Sequence, residues 1–108
     1  MVLHCDLAYA GAGSRFRMPF TALGLCPEAG STYLLPRVAG DKKAAELLLL
    51  GEEFDAGTAA GVGIINEAVE DGAALSFALD RAAAIARLPV GAIESTRSLL
   101  RARDRDAV

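Results

Sequence analysis

The run Gly24-Leu25-Cys26-Pro27-Glu28-Ala29-Gly30 carries the group best suited to chemistry in this sequence. Between Met18 and Pro36, Glu28 is the only charged residue. Phe20, Leu23, Leu25, Cys26 and Tyr33 flank it along the chain. Apolar neighbours of that kind, if they bury a carboxyl, raise its pKa by disfavouring the charged form. A carboxyl that titrates nearer neutrality can take a proton and return it. Gly30 lets backbone approach a ligand closely. The opposing reading is structural. Pro-Glu ahead of a helix is a start signal, and an acid there complements the helix dipole. Spacing alone leaves both readings open and gives the helix start the greater weight.

The other candidates are weaker. His4 is the sole histidine and sits beside Cys5 and Asp6, but adjacency in sequence does not make a triad. Ser31 and Tyr33 could hydrogen-bond a ligand or serve the start of a helix. Gly11-Ala12-Gly13 resembles part of a phosphate loop, without the third glycine or the helix that should follow. Arg97 and Arg101 stand one turn apart and could hold a phosphate; the alternative is exposed helix charge. Cys5 and Cys26 give neither a disulfide framework nor a metal-ligand spacing, so no metal is expected.

The elements that must position these groups are short strands first and helices afterwards. Residues 7–10 read as a buried strand, and the alternation over 15–18 as a second. Residues 19–30 are loop-like, with two prolines and two glycines. Ser31 caps a short helix that should end or bend before Pro36. Asp41 reads as the N-cap of a strong, well-buried helix closed by Gly51. Asp55 caps a short helix ended by Gly61 or Gly63, and residues 64–69 read as a strand. Asp71 caps a long helix to about Arg87, with Leu75, Ala78, Leu79, Ala82 and Ile85 as its apolar stripe. Leu88-Pro89 breaks it, and the last helix covers 90–103.

Length and charge bound the class. A chain of 108 residues supports one unit with a modest core. Eleven basic against fourteen acidic residues give a net charge of −3, which argues against a nucleic-acid binder. Residues 44–80 hold no Lys or Arg, whereas residues 81–108 hold six Arg and three acids. That basic last stretch could meet an anionic ligand or an acidic partner, or be a solvated helix face. No apolar run is long enough to span a bilayer and no secretory signal pattern is present, so a cytoplasmic protein is expected. The first residues are already apolar, with no lead-in, and predict a preceding segment.

The order of motifs is more telling than any one of them. Cys5-Asp6-Leu7-Ala8-Tyr9-Ala10 is followed by Arg15-Phe16 and Pro19-Phe20. Then come Leu23 to Ser31 with Pro27-Glu28, Leu35-Pro36-Arg37-Val38-Ala39-Gly40, Asp55-Ala56 and Gly63-Ile64-Ile65-Asn66. This order resembles the crotonase superfamily of enoyl-CoA hydratases and isomerases, over residues 2–100. The resemblance implies an α/β fold, the later part of a ββα spiral with C-terminal helices, mostly helical in this chain. It implies a partial spiral core over 1–70 and a helical, oligomerisation-type region over 71–108. It further implies an acyl-CoA substrate, CoA entering only as part of the thioester, and a trimer-based homo-oligomer. In the family two backbone N–H groups stabilise the thioester enolate. Those donors normally lie upstream of the Cys-Asp motif, so they are expected ahead of Met1.

The resemblance also weighs on Glu28. Hydratases of this kind use two glutamates, one of which follows a proline at the position of Phe20. Phenylalanine cannot move a proton. Glu28 instead matches the glutamate after proline in peroxisomal-type Δ3,Δ2-enoyl-CoA isomerases, where one carboxylate shuttles a proton from C2 to C4. On this resemblance catalysis by Glu28 outweighs the cap, and Phe20, Leu23, Leu25 and Tyr33 become acyl-pocket walls. A 2-enoyl-CoA hydratase, or a non-catalytic portion that oligomerises or binds acyl-CoA, is the alternative.

Overall fold

The computed structural model of the protein describes residues 2–18 and 31–102. After a 3-10 turn at Val2–His4, strand β1 (Tyr9–Gly11) pairs in parallel with β4 (Glu67–Val69), Tyr9 facing Glu67 and Gly11 facing Val69. A second pair is antiparallel: β2 (Arg15–Phe16) lies along β3 (Phe54–Asp55), and the Phe16 ring stacks on Phe54 with centroids 5.6 Å apart. The strand expected over 64–69 forms only from Glu67. The reason is local: Ile64 and Ile65 both donate their N–H to the Ala59 carbonyl, at 2.9 and 3.3 Å, and so wrap the end of the preceding helix. That wrap buries both side chains.

Helix α1 (Ser31–Ala39) runs through Pro36 instead of ending before it. Proline forfeits one N–H bond, but the helix recovers at its end, where the Gly40 N–H donates to the Pro36 carbonyl at 2.9 Å. Burial of Leu35, 0% exposed, holds that turn in place. Helix α2 (Asp41–Leu50) is capped by Gly40, not by Asp41, which sits in the first turn where its charge meets the dipole. At its other end Gly51, at φ +63°, donates its N–H to the Leu47 carbonyl. The burial expected all round α2 is one-sided: Ala44, Leu47 and Leu48 are inside, while Leu49 and Leu50 are 69% and 59% exposed.

Helix α3 (Ala56–Val62) starts as expected at Asp55, whose Oδ1 accepts from the Thr58 N–H at 2.7 Å. It passes through Gly61 and ends at Gly63, φ +91°. Helix α4 (Ala74–Ala86) begins later than expected, because Asp71 does not cap it. The Asp71 carboxylate instead accepts the Gly13 N–H at 2.6 Å, across to the turn after β1. Helix α5 (Val90–Ala102) follows the Leu88-Pro89 break. The core gathers α1, α2, β3, α3 and the Ile64-Ile65 bend. Neither α4 nor α5 buries a residue fully; α4 meets β1 through an edge-on Tyr9–Phe77 contact of 5.0 Å.

Candidate functional site

Glu28, Phe20, Leu23 and Leu25 lie outside the described residues, as does Cys26. What is described is the frame on either side of them. On the upstream side Phe16 stacks on Phe54, the Arg17 Nε donates to the Gly51 carbonyl at 2.7 Å, and Met18 packs against the core. The Arg17 bond satisfies a carbonyl at the C-terminal end of α2, where a cation is favoured by the dipole. On the downstream side α1 begins at Ser31 and is pinned by Leu35. The two frames meet through the α1–α2 packing and the shared core.

Of the residues expected to form the catalytic group and the acyl-pocket walls, Tyr33 alone lies among the described residues. It stands in the first turn of α1, half-buried, and the Arg37 guanidinium lies 4.6 Å from its ring centroid. A cation over the ring face is an attractive contact. It leaves Tyr33 as a half-buried aromatic surface one turn into the helix.

The Arg97 and Arg101 pair does bind an anion, and the anion is internal. Both guanidiniums converge on Asp6: the Arg97 Nε reaches Oδ2, and the Arg101 Nε and terminal amine reach Oδ1 at 2.9 and 2.6 Å. The hydrogen bond from Arg97, then that from Arg101, holds the Asp6 carboxyl below its ordinary pKa. Arginine spacing on a helix signalled the anion site; nothing local signalled that Asp6, 91 and 95 residues away, fills it. Asn66 was missed too. Its Oδ1 accepts from the Ala8 N–H at 2.8 Å, and its own N–H donates to the Ala8 carbonyl at 2.7 Å.

An open depression of about 400 Å³ lies over α2 and β3, lined by Arg15, Lys43, Glu46, Glu52, Glu53 and Asp55 among others. Both of its basic residues stand opposite an acid, and the acids outnumber them four to two. Lys43 pairs with Glu46 at 2.7 Å, and Arg15 faces Asp55 across the β2–β3 register. Asp55 is held below its usual carboxylate range, first by the Thr58 backbone N–H and then by the Thr58 side chain. A carboxylate held ionised in this way is a poor proton shuttle near neutrality, so Asp55 does not suit the chemistry expected of Glu28. Among the described residues no group of three His, Cys, Asp or Glu side chains could hold a metal.

Comparison with known proteins bears on the whole chain. The family profile described as Enoyl-CoA hydratase/isomerase matches residues 1–107. The chain is 33% identical over 101 residues to Enoyl-CoA delta isomerase 2 of Homo sapiens, covering 94% of this chain and 26% of that protein. It is also 33% identical over 101 residues to 2,3-dehydroadipyl-CoA hydratase of Escherichia coli, covering 94% of this chain and 40% of that protein. The solved structure of an enoyl-CoA hydratase/isomerase from Pseudoalteromonas atlantica matches with a TM-score of 0.94 at 36% identity, over 98% of this chain and 43% of that one. The chain thus spans between a quarter and two fifths of the length of these curated relatives.

Proposed function

We propose an activity for this chain from one premise: it belongs to the enoyl-CoA hydratase/isomerase family. The protein processes acyl-CoA thioesters, and its reaction is the movement of a double bond from the Δ3 to the Δ2 position. Glu28 takes a proton from C2, leaving a dienolate, and returns it to C4, so that its carboxylate ends as it began. Phe20, Leu23, Leu25 and Tyr33 wall the acyl chain. No metal or redox cofactor takes part, and CoA is present only as the thioester.

One observation carries this reading: Phe20 stands where a hydratase of the family would have its proton-moving glutamate, while Glu28 supplies a carboxylate eight residues on. The isomerase among the relatives supports it. A hydratase at equal identity supports the second reading, hydration of a 2-enoyl-CoA. The division into a core over 1–70 and an oligomerising region over 71–108 is supported by burial. The core cluster lies within residues 35–65, while Leu75, Leu79, Val90, Leu99 and Leu100 are exposed. Those side chains are also what supports a trimer-based homo-oligomer. A cytoplasmic location remains the expectation from composition.

The test gives the purified chain 3-enoyl-CoA and 2-enoyl-CoA in parallel, following the conjugated thioester by absorbance. Formation of conjugated product from 3-enoyl-CoA, abolished in Glu28→Gln, is expected. Turnover that survives the substitution sinks Glu28 as the proton shuttle. Hydration of 2-enoyl-CoA alone transfers the reading to a hydratase, and no turnover of either thioester favours the non-catalytic alternative.

A further inference from the structure

The Gly11-Ala12-Gly13 turn, phosphate-loop-like in sequence, does hold an anion, and the anion is the Asp71 carboxylate. The Gly13 N–H donates to its Oδ1 at 2.6 Å. A Cβ at Gly13 would stand 2.9 and 3.0 Å from the two carboxylate oxygens, and one at Gly11 would stand 3.1 Å from Oδ1. The lack of a side chain at both glycines is what lets the carboxylate seat. The seated residue lies in a tight turn. There the Ala73 N–H donates to the Glu70 carbonyl at 3.0 Å, and Gly72 takes φ +83°. Asp71 is the only Asp or Asn in the sequence that a glycine follows. That pairing carries a chemistry of its own. No side chain on Gly72 obstructs its amide nitrogen from reaching the Asp71 Cγ once that carboxyl turns back onto its own main chain.

We propose that Asp71-Gly72 is a site of main-chain isomerisation, held off by the seat on Gly11 and Gly13 and reached only when that end of the β1–β4 pair opens. The reaction needs no co-reactant but water. The Gly72 nitrogen bonds to Cγ of protonated Asp71, its proton and the carboxyl OH leave as water, and a five-membered imide closes. Water then adds to one of the two imide carbonyls. Opening at Cγ restores aspartate. Opening at the main-chain carbonyl leaves Asp71 joined to Gly72 through Cβ and Cγ, as isoaspartate. The seat opposes the first step, because attack requires the carboxyl to give up the Gly13 N–H, take a proton and rotate onto Gly72. Isomerisation also fixes the opening. Isoaspartate adds one carbon to the main chain and carries its carboxylate directly on Cα, so it no longer meets Gly13 in the β1–β4 register.

The chain and a peptide of residues 66–76 are incubated side by side at neutral pH and body temperature. Isoaspartate at position 71 is followed by peptide mapping and by labelling with an isoaspartate-specific carboxyl methyltransferase. Isomerisation is far slower than local opening, so its rate tracks the open population. The bond to the seated carboxylate lowers that population about ten- to a hundredfold, and the folded chain isomerises more slowly than the peptide by that factor. Gly13→Ala keeps an allowed backbone, since Gly13 is not among the glycines at positive φ, but drives the carboxylate from its seat. Its isomerisation at Asp71 rises at least about fivefold over the unmodified chain. Gly91→Ala, with nothing within 4 Å of the new Cβ, leaves the rate unchanged. Aged chain carrying isoaspartate, separated from the remainder, loses amide-exchange protection at Gly13. Equal rates in chain and peptide overturn the proposal. So does a Gly13→Ala chain, folded by circular dichroism, that isomerises no faster than the unmodified one. If Gly13→Ala does not fold, the comparison of chain with peptide decides alone.

Discussion

Replacing Leu35 by alanine tests the frame that carries the loop of Glu28 more directly than any surface change. Leu35 is 0% exposed and is the largest wholly buried side chain described. It lies in α1, one residue before Pro36, and joins the cluster with Leu47, Leu48, Ile64 and Ile65. Leu→Ala removes three carbons, worth about 2.4 kcal/mol in transfer at roughly 0.8 per methylene. A cavity that does not collapse adds to this, and buried Leu→Ala changes run to about 2.7–5.0 kcal/mol. The expected loss is therefore about 3 kcal/mol. For a chain of 108 residues, total stability at about 0.05–0.15 kcal/mol per residue is on the order of 5–16 kcal/mol. The substitution thus removes between a fifth and a half of it. Urea unfolding should show a lower midpoint with an unchanged slope. Leu35→Met, which conserves volume, should cost less than about 1.5 kcal/mol. Leu49→Ala, at a site 69% exposed in α2, should stay within about 0.5 kcal/mol. If Leu35→Ala costs no more than Leu49→Ala, the core does not close on α1, and the downstream frame of the loop is wrongly described.

Acid should weaken the fold through Asp6 and Asp55. Both carboxyls are held below their ordinary pKa, so the stability they contribute is present above an unfolded value of about pH 4 and is lost as pH falls through their lower folded values. Unfolding midpoints measured from pH 6 down to pH 2 should flatten in Asp6→Asn and in Asp55→Asn; an unaltered pH dependence in both would remove these groups from the acid response. Two glycines should respond with opposite signs. Gly57 lies inside α3 with only the Asp55 Oδ1 near a new Cβ, at 3.6 Å, so Gly57→Ala should stabilise by about 0.5–1 kcal/mol. Gly63, at φ +91° with the Val38 carbonyl oxygen 3.2 Å from a new Cβ, should lose about 1–2 kcal/mol on the same change. Thermal melts of the two variants check both, and equal signs would contradict the backbone geometry at one of them.

What was legible in the sequence is what neighbouring residues decide. Asp55 caps α3 through Thr58, three residues on, and Gly51 closes α2 through Leu47. Both signals are complete within one turn. Asp71 misled because it has the right type at the right spacing for a cap, yet a partner 58 residues away competes for its carboxylate. Pro36 misled for a related reason: burial of Leu35 outweighs the helix bond that proline forfeits. The apolar run Leu47 to Leu50 cannot declare which of its members face inward, and the structure buries the first two alone. The expectation for Glu28 rests on the order of motifs along the chain, because by spacing alone it resembles a helix start. Asp6 shows the limit of local reading. Its meaning depends on two arginines at the far end of the chain, and the separation leaves no pattern to find.

The parallel β1–β4 pair shows how such distant contacts decide the fold. Its strands have three residues each and bury little. A one-residue slip should be cheap on hydrophobic grounds, since β1 offers two half-buried residues and one buried glycine. Polar groups prevent it from both ends. At one end the Asn66 side chain and backbone both engage Ala8, adding a rung ahead of Tyr9 and Glu67. At the other the Ala12 N–H meets the Val69 carbonyl at 2.6 Å, and Asp71 takes the Gly13 N–H. A slip in either direction breaks every one of these, and at Gly13 a side chain would sit 2.9 Å from the Asp71 Oδ2. Two bracketing polar residues therefore supply the register that hydrophobic alternation over three residues cannot.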